Sequence, residues 1–168
     1  MKFLKSILVF SFLILIETVN AQNYIYSGNT KYESTITWKF ALQTNYWTNN
    51  NLEVTIGKTP TGGCLLLSIE VPFKEYIGGT VTLYLSDGSQ IKCGDKKRRS
   101  RLNKRSLNLY SFTPSEMERL KLNSIETIVF AIMSEFQGAE YYSAENNESS
   151  YYKSKSFDTV SEIVDLYE

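Results

Sequence analysis

The sequence predicts a mainly β fold: an antiparallel sandwich or curled sheet of about seven strands, with a short inserted helix and a C-terminal amphipathic helix. Three observations lead there. Apolar residues recur with period 2 through much of the chain, most clearly from Tyr32 to Leu42. Turn dipeptides such as Gly62-Gly63 and Asp87-Gly88 separate these stretches. Helical spacing is confined to two short places, after Thr113 and from Phe157 onward.

Residues 1–21 are expected to be a secretory signal peptide. Lys2 and Lys5 precede an apolar core from Ile7 to Ile16, and V-N-A supplies small residues for cleavage after Ala21. That core is shorter than the roughly 18 to 20 apolar residues of a spanning helix, and no later run reaches that length, so no transmembrane segment is expected. The expected location is outside the cytoplasm, periplasmic or extracellular. The A-Q-N junction resembles that of exported proteins of the Bacteroidota. About 147 residues then remain, enough for one domain without staples. The expected division is a β-rich domain over 22–136, a polar linker over 137–156 and a closing helix over 157–168.

From Tyr32 to Leu42 the even positions Tyr32, Ser34, Ile36, Trp38, Phe40 and Leu42 are expected on one side of a single half-buried strand, with Trp38 in the core. Leu52 to Lys58 repeats the alternation, and P-T-G-G turns the chain. Cys64 to Val71 is almost continuously apolar, as in a strand covered on both faces. Gly79 to Leu85 and Ser89 to Cys93 flank a hairpin turn. A two-residue Asp87-Gly88 loop would mix the faces. A three-residue Ser86-Asp87-Gly88 loop with a left-handed glycine pairs Leu83 with Ile91 and Val81 with Cys93, and is the expected register.

Ser106 to Phe112 follows as a strand. T-P-S-E then starts a short helix, with Thr113 as N-cap, Pro114 at N1, Glu116 completing a capping box, and Met117 and Leu120 facing inward. Ile125 to Met133 is apolar on both faces from Ile128 and belongs in a central position. Gln137 to Ser156 shows no periodicity and reads as the linker. In the last segment Phe157, Val160, Ile163, Val164 and Tyr167 share a helix face.

The stretch G-T-V-T-L-Y-L-S-D-G-S-Q-I-K-C through Y-S-F-T-P-S-E-M-E-R-L-K-L-N-S-I-E-T-I-V-F resembles a recurrent unit in uncharacterised secreted proteins of Bacteroidota, over about 55 of the 168 residues. The resemblance implies the fold and the compartment. It implies no activity.

Cys64 and Cys93 are the two cysteines. In an oxidising compartment they are candidates for a bridge, but a simple meander sets them too far apart for the roughly 7 Å limit on bridged Cα atoms. The alternative is two buried thiols acting as small hydrophobes.

The chain has no histidine, which removes Ser-His-Asp and Cys-His nucleophiles and His-containing zinc sites. Glu33, Glu53, Glu70, Glu75, Asp87 and Asp95 show no spacing that marks a carboxylate pair. No phosphate loop or calcium loop is present. A non-enzymatic protein without cofactors is therefore expected.

The most unusual feature is D-K-K-R-R-S-R-L-N-K-R, Asp95 to Arg105, with seven basic side chains in residues 96–105. It is expected to be an exposed hairpin excursion. The candidate binding residues are Lys96, Lys97, Arg98, Arg99, Arg101, Lys104 and Arg105. Their expected partner is an anionic polymer, an envelope surface or an acidic protein face, because clustered arginine suits phosphate and sulfate. Two readings stand beside this one. The run could be solvated and satisfied by Glu135 to Glu168, where eight acids outnumber Lys153 and Lys155. It could bind nucleic acid, although no aromatic residue interleaves the charges. A separate candidate is a carbohydrate-binding loop over 44–51, where Tyr46 and Trp47 stand among Thr and Asn.

Overall fold

A computed structural model describes residues 22–43, 51–147 and 155–168. The expected signal peptide, Tyr46 and Trp47 lie outside these residues. Eleven strands and two helices are present among the described residues. The strands are β1 (Asn23–Ser27), β2 (Thr30–Ser34), β3 (Trp38–Leu42), β4 (Asn51–Thr59), β5 (Gly62–Glu70), β6 (Glu75–Leu85), β7 (Gln90–Cys93), β8 (Arg99–Leu102), β9 (Arg105–Phe112), β10 (Ile125–Ser134) and β11 (Gly138–Glu145). The helices are α1 (Pro114–Leu122) and α2 (Thr159–Tyr167).

The strands form one antiparallel curled sheet in the order β7-β6-β10-β11-β3-β4-β5-β9-β8, with the β1–β2 hairpin attached to β4. Its concave face holds the main core, where Trp38, Phe40, Leu65, Leu67, Tyr110, Ile128 and Phe130 are buried. Met117 and Leu120 of α1 and Ile163 of α2 join that core. A smaller second layer lies on the convex face, where Ile25, Cys64 and Leu109 pack with Tyr32 and Leu66 beneath the β1–β2 hairpin. This layer is why β5 is apolar on both faces. None of the described helices is long and apolar enough to cross a membrane.

The β6–β7 hairpin has the expected register, Leu83 opposite Ile91 and Val81 opposite Cys93, with Gly88 at φ +78° in its three-residue turn. The capping box of α1 is complete, since Thr113 accepts from the Glu116 N–H and Glu116 accepts from the Thr113 N–H. Met117 and Leu120 are buried as expected. Strand β10 lies between β6 and β11 and is central.

Four expectations require correction. The eleven-residue strand is two strands, because Ser34 pairs with Gly57 and Trp38 with Val54, so three residues (35–37) oppose two. That extra residue is a bulge, and it reverses the facing of what precedes it. Tyr32 therefore packs in the convex layer while Trp38 and Phe40 fill the concave core. Second, residues 138–145 of the expected linker are strand β11, held by pairing with β10 and by the Tyr142 ring stacked on Phe130 at 6.0 Å. Third, part of the expected basic loop is strand β8, paired to β9. Fourth, β1 was not expected; its inward contribution is the single buried Ile25.

Cys64 and Cys93 are free thiols, both buried. Cys64 belongs to the convex layer and Cys93 to the concave core, so the sheet itself separates them. Burial pushes the Cys64 thiol up to about 11 and the Cys93 thiol up to about 12, which keeps both protonated at neutral pH while they are buried.

Candidate functional site

The basic run sits where the curled sheet meets itself. Strand β7 covers only the 81–84 part of β6, so the edge at residues 77–79 has no backbone ladder on that side. A bulge in the β6–β10 pairing bends β6 here, with Gly79 at φ +72°. Side chains of β9 supply the missing bonds. The Ile77 N–H donates to Ser106 Oγ at 3.0 Å, Asn108 Nδ2 donates to the Ile77 carbonyl at 3.2 Å, and the Tyr110 hydroxyl donates to the Gly79 carbonyl at 3.3 Å. A row of polar side chains thus closes the seam.

Asp95, the first residue of the run, completes it. Its carboxylate accepts from the Gly79 N–H at 3.0 Å, the Lys97 N–H at 2.7 Å, Asn108 Nδ2 at 3.3 Å and the Arg99 guanidinium. Burial pushes this carboxyl up, but the bonds from Lys97, Arg99, Asn108 and Gly79 outweigh it and hold the group below the usual carboxylate range. The bond from its own N–H also fixes Lys97 at φ +58°, a left-handed conformation that a short Asx turn stabilises.

Three of the seven cations are consumed by the fold. Arg99 pairs with Asp95 and stacks over the Tyr76 ring at 4.5 Å. Arg101 donates to the carbonyls of Glu75 (2.9 Å), Val71 (2.7 Å) and Pro72 (3.0 Å), which fastens β8 to the loop before β6. Arg105 donates to Ser68 Oγ at 2.8 Å and pairs with Glu53 at 2.9 Å. Among the described residues these ion pairs go to Asp95 and Glu53, not to the acidic segment from Glu135 onward.

The other four, Lys96, Lys97, Arg98 and Lys104, are exposed. Strand β8 divides them, with Lys104 in the β8–β9 turn and the other three before β8 begins. Lys96 and Arg98 open onto a groove of about 470 Å³ on the convex face. Cys64 and Leu109 lie in its floor, Tyr32 of the β1–β2 hairpin borders it, and Thr59, Pro60 and Thr61 of the β4–β5 turn form another wall with Ser111 and Thr113. No described residue lining it is a carboxylate.

Glycines fix the shape of that end. Gly62, at φ +134°, brings β5 so close to the start of α1 that a Cβ would run into the Phe112 carbonyl oxygen and the Pro114 nitrogen. The Thr113-Pro114 corner is therefore held against the β4–β5 turn, and the Tyr167 hydroxyl donates to the Gly62 carbonyl at 2.6 Å from α2.

A second recess has the opposite charge. Glu33, Glu162, Asp165 and Glu168 border it with Lys58 as the basic member. Among the described residues no group of three or more Asp, Glu, Cys or His side chains is arranged to hold a metal ion. Of the other carboxylates singled out from the sequence, Glu53 is paired with Arg105, and Asp87 accepts from the Ser89 N–H and hydroxyl within its turn.

The sequence pointed to Lys96 and Arg98 but not to Tyr32, Thr59, Thr61 or Ser111, which face them across the groove. T-P-T-G reads as a turn, and the facing of Tyr32 depends on a bulge that leaves the period-2 pattern unbroken. Comparisons with protein-family models, with curated proteins and with solved structures find no match for this chain.

Proposed function

We propose that this chain is a non-enzymatic interaction domain, exported to the periplasm or beyond, that binds an anionic partner through Lys96 and Arg98. The contact area is narrower than the whole basic run. One observation carries this reading: among the described residues, the two cations of the groove, Lys96 and Arg98, have no ion-pair partner, and no lining residue is a carboxylate. A cation pair without counterions attracts anions, and the low-dielectric floor of Cys64 and Leu109 screens that attraction less than open water does. Arg98 adds a planar fork suited to two-point contact with a carboxylate, sulfate or phosphate. Lys97 contributes long-range attraction beside them.

The test is binding of the purified protein to a panel of anionic polymers at two salt concentrations, beside Lys96→Gln/Arg98→Gln and Lys104→Gln variants. The expected result is salt-sensitive binding that weakens at least about tenfold in the double variant, a loss of roughly 1.4 kcal/mol, and barely changes in Lys104→Gln. Equal loss in both variants would return the function to the run as a whole. Negligible binding by the unmodified protein would leave the run a structural seam with a solvated end.

A further inference from the structure

The lining of the groove points to the class of anion, an inference that rests on the anion-binding reading above. We infer that the groove takes an acidic polysaccharide, a chain of carboxylated sugar rings, rather than a chain of phosphates. The argument is the segregation of chemistry around it. Both cations, Lys96 and Arg98, come from the 94–98 segment, so positive charge is supplied from one segment of the lining. The β4–β5 turn and the end of β9 supply hydroxyls instead: Thr59, Thr61 and Ser111 make no side-chain hydrogen bond among the described residues and face a ligand free to donate or accept.

Thr113 also lines the groove, but its hydroxyl is engaged with Glu116, and most of the remaining lining is apolar. Cys64 and Leu109 form the floor, and the half-buried Tyr32 presents its ring at the border, with a phenol that makes no hydrogen bond among the described residues. The hydroxyls could donate to phosphate oxygens as well as to a sugar, but a phosphate chain carries charge on every side and no apolar face, so the Cys64–Leu109 floor and the Tyr32 ring would desolvate it without compensation. A uronate ring divides its chemistry as the groove does: a carboxylate at one edge, hydroxyls at another, and C–H groups on the face that packs against an aromatic ring. About 470 Å³ lies within the roughly 300–1,000 Å³ range of small-ligand sites, enough for a few rings of such a chain.

The probes are polygalacturonate, polyphosphate of matched charge, and neutral dextran, each titrated into the purified protein and into Tyr32→Ala, Tyr32→Phe and Lys96→Gln/Arg98→Gln variants. Polygalacturonate is expected to bind about tenfold more tightly than polyphosphate. Tyr32→Ala should lose about that factor on polygalacturonate alone, and Tyr32→Phe, which keeps the ring and the convex packing, should retain most of it. Should Tyr32→Ala fail to fold, the order of the three polymers on the unmodified protein decides the matter. Polyphosphate binding as tightly as polygalacturonate, with loss in the Lys96→Gln/Arg98→Gln variant, would overturn the sugar assignment and leave the anion site standing. Binding of dextran as tight as that of polygalacturonate, or no salt-sensitive binding to either polyanion, would overturn both.

Discussion

Asp95 shows how a residue in a charged run can serve the fold first. Its carboxylate satisfies backbone groups of two segments, at Gly79 and Lys97, and anchors Arg99 and Asn108. Replacing it with Ala strands those donors at a partly buried seam, and a loss of about 2–4 kcal/mol is expected in urea unfolding. The pH dependence has a definite sign. The folded-state carboxyl is held below its ordinary value. Its contribution is therefore present above the unfolded pKa of about 3.9 and is lost as pH falls through the lower folded value. Unfolding midpoints measured from pH 6 down to 2 should fall steeply for the unmodified protein and less steeply for Asp95→Asn; parallel curves would remove Asp95 from that role. The arginines and lysines of the run should separate in the same assay. Arg101→Gln gives up bonds to four carbonyls and should cost about 1–2 kcal/mol, whereas Lys97→Gln should stay within about 0.5 kcal/mol. Equal effects would mean that the guanidinium bonds to Val71 and Pro72 contribute nothing.

Among the elements, those with strong local signals could be read directly: the β6–β7 hairpin to its register, α1 to its capping box, β5 and β10 from their apolar runs. The missed ones carry their reasons in particular residues. Strand β8 is R-S-R-L, an exposed edge strand whose charges discourage pairing with other chains and equally hide it from a hydrophobic pattern. Strand β11 buries Ala144 and half-buries Tyr142 in a segment that looks polar throughout, and is held by its neighbours in the sheet. Within β9 the buried inward positions include Ser106 and Asn108, so the seam runs against the usual polar-out alternation; that inversion was visible in S-L-N-L-Y, but its meaning required the partner edge at Ile77 and Gly79. The groove was half legible for the same reason, since cations declare themselves in sequence and the opposing wall does not. The β5–α1 junction offers a test at this scale. Gly62→Ala places a methyl group against the Phe112 carbonyl at a φ that L-residues avoid, and should lower stability by about 2 kcal/mol or more while displacing the Thr113-Pro114 corner. An unchanged unfolding midpoint would show that this approach is not tight.

For the whole molecule, two packing layers of unequal size share one sheet, and each contains one buried thiol. Cys93 lies in the large concave core, which includes residues of both helices and most of the strands. Cys64 lies in the small convex layer, covered by a hairpin whose ladder contact with the rest of the sheet is the Ser34–Gly57 pair. Local opening free energies follow the surface and bonds that each opening sacrifices. The β1–β2 hairpin should therefore lift without unfolding the concave core, exposing Cys64 alone. Single-thiol variants, Cys93→Ser to report on Cys64 and Cys64→Ser to report on Cys93, measure this through labelling by an aromatic disulfide reagent in native buffer and in low urea. Cys64 is expected to react at least about tenfold faster, with a rate that barely depends on urea, because little surface is exposed. Cys93 should react with a urea dependence near that of global unfolding. Ile25→Ala, which thins the cover over Cys64, should accelerate Cys64 and leave Cys93 unchanged. Equal rates with equal urea dependence would mean that the two layers unfold as one cooperative unit. They would also mean that Tyr32, carried by the same hairpin, forms a fixed wall of the groove rather than one that lifts with its cover.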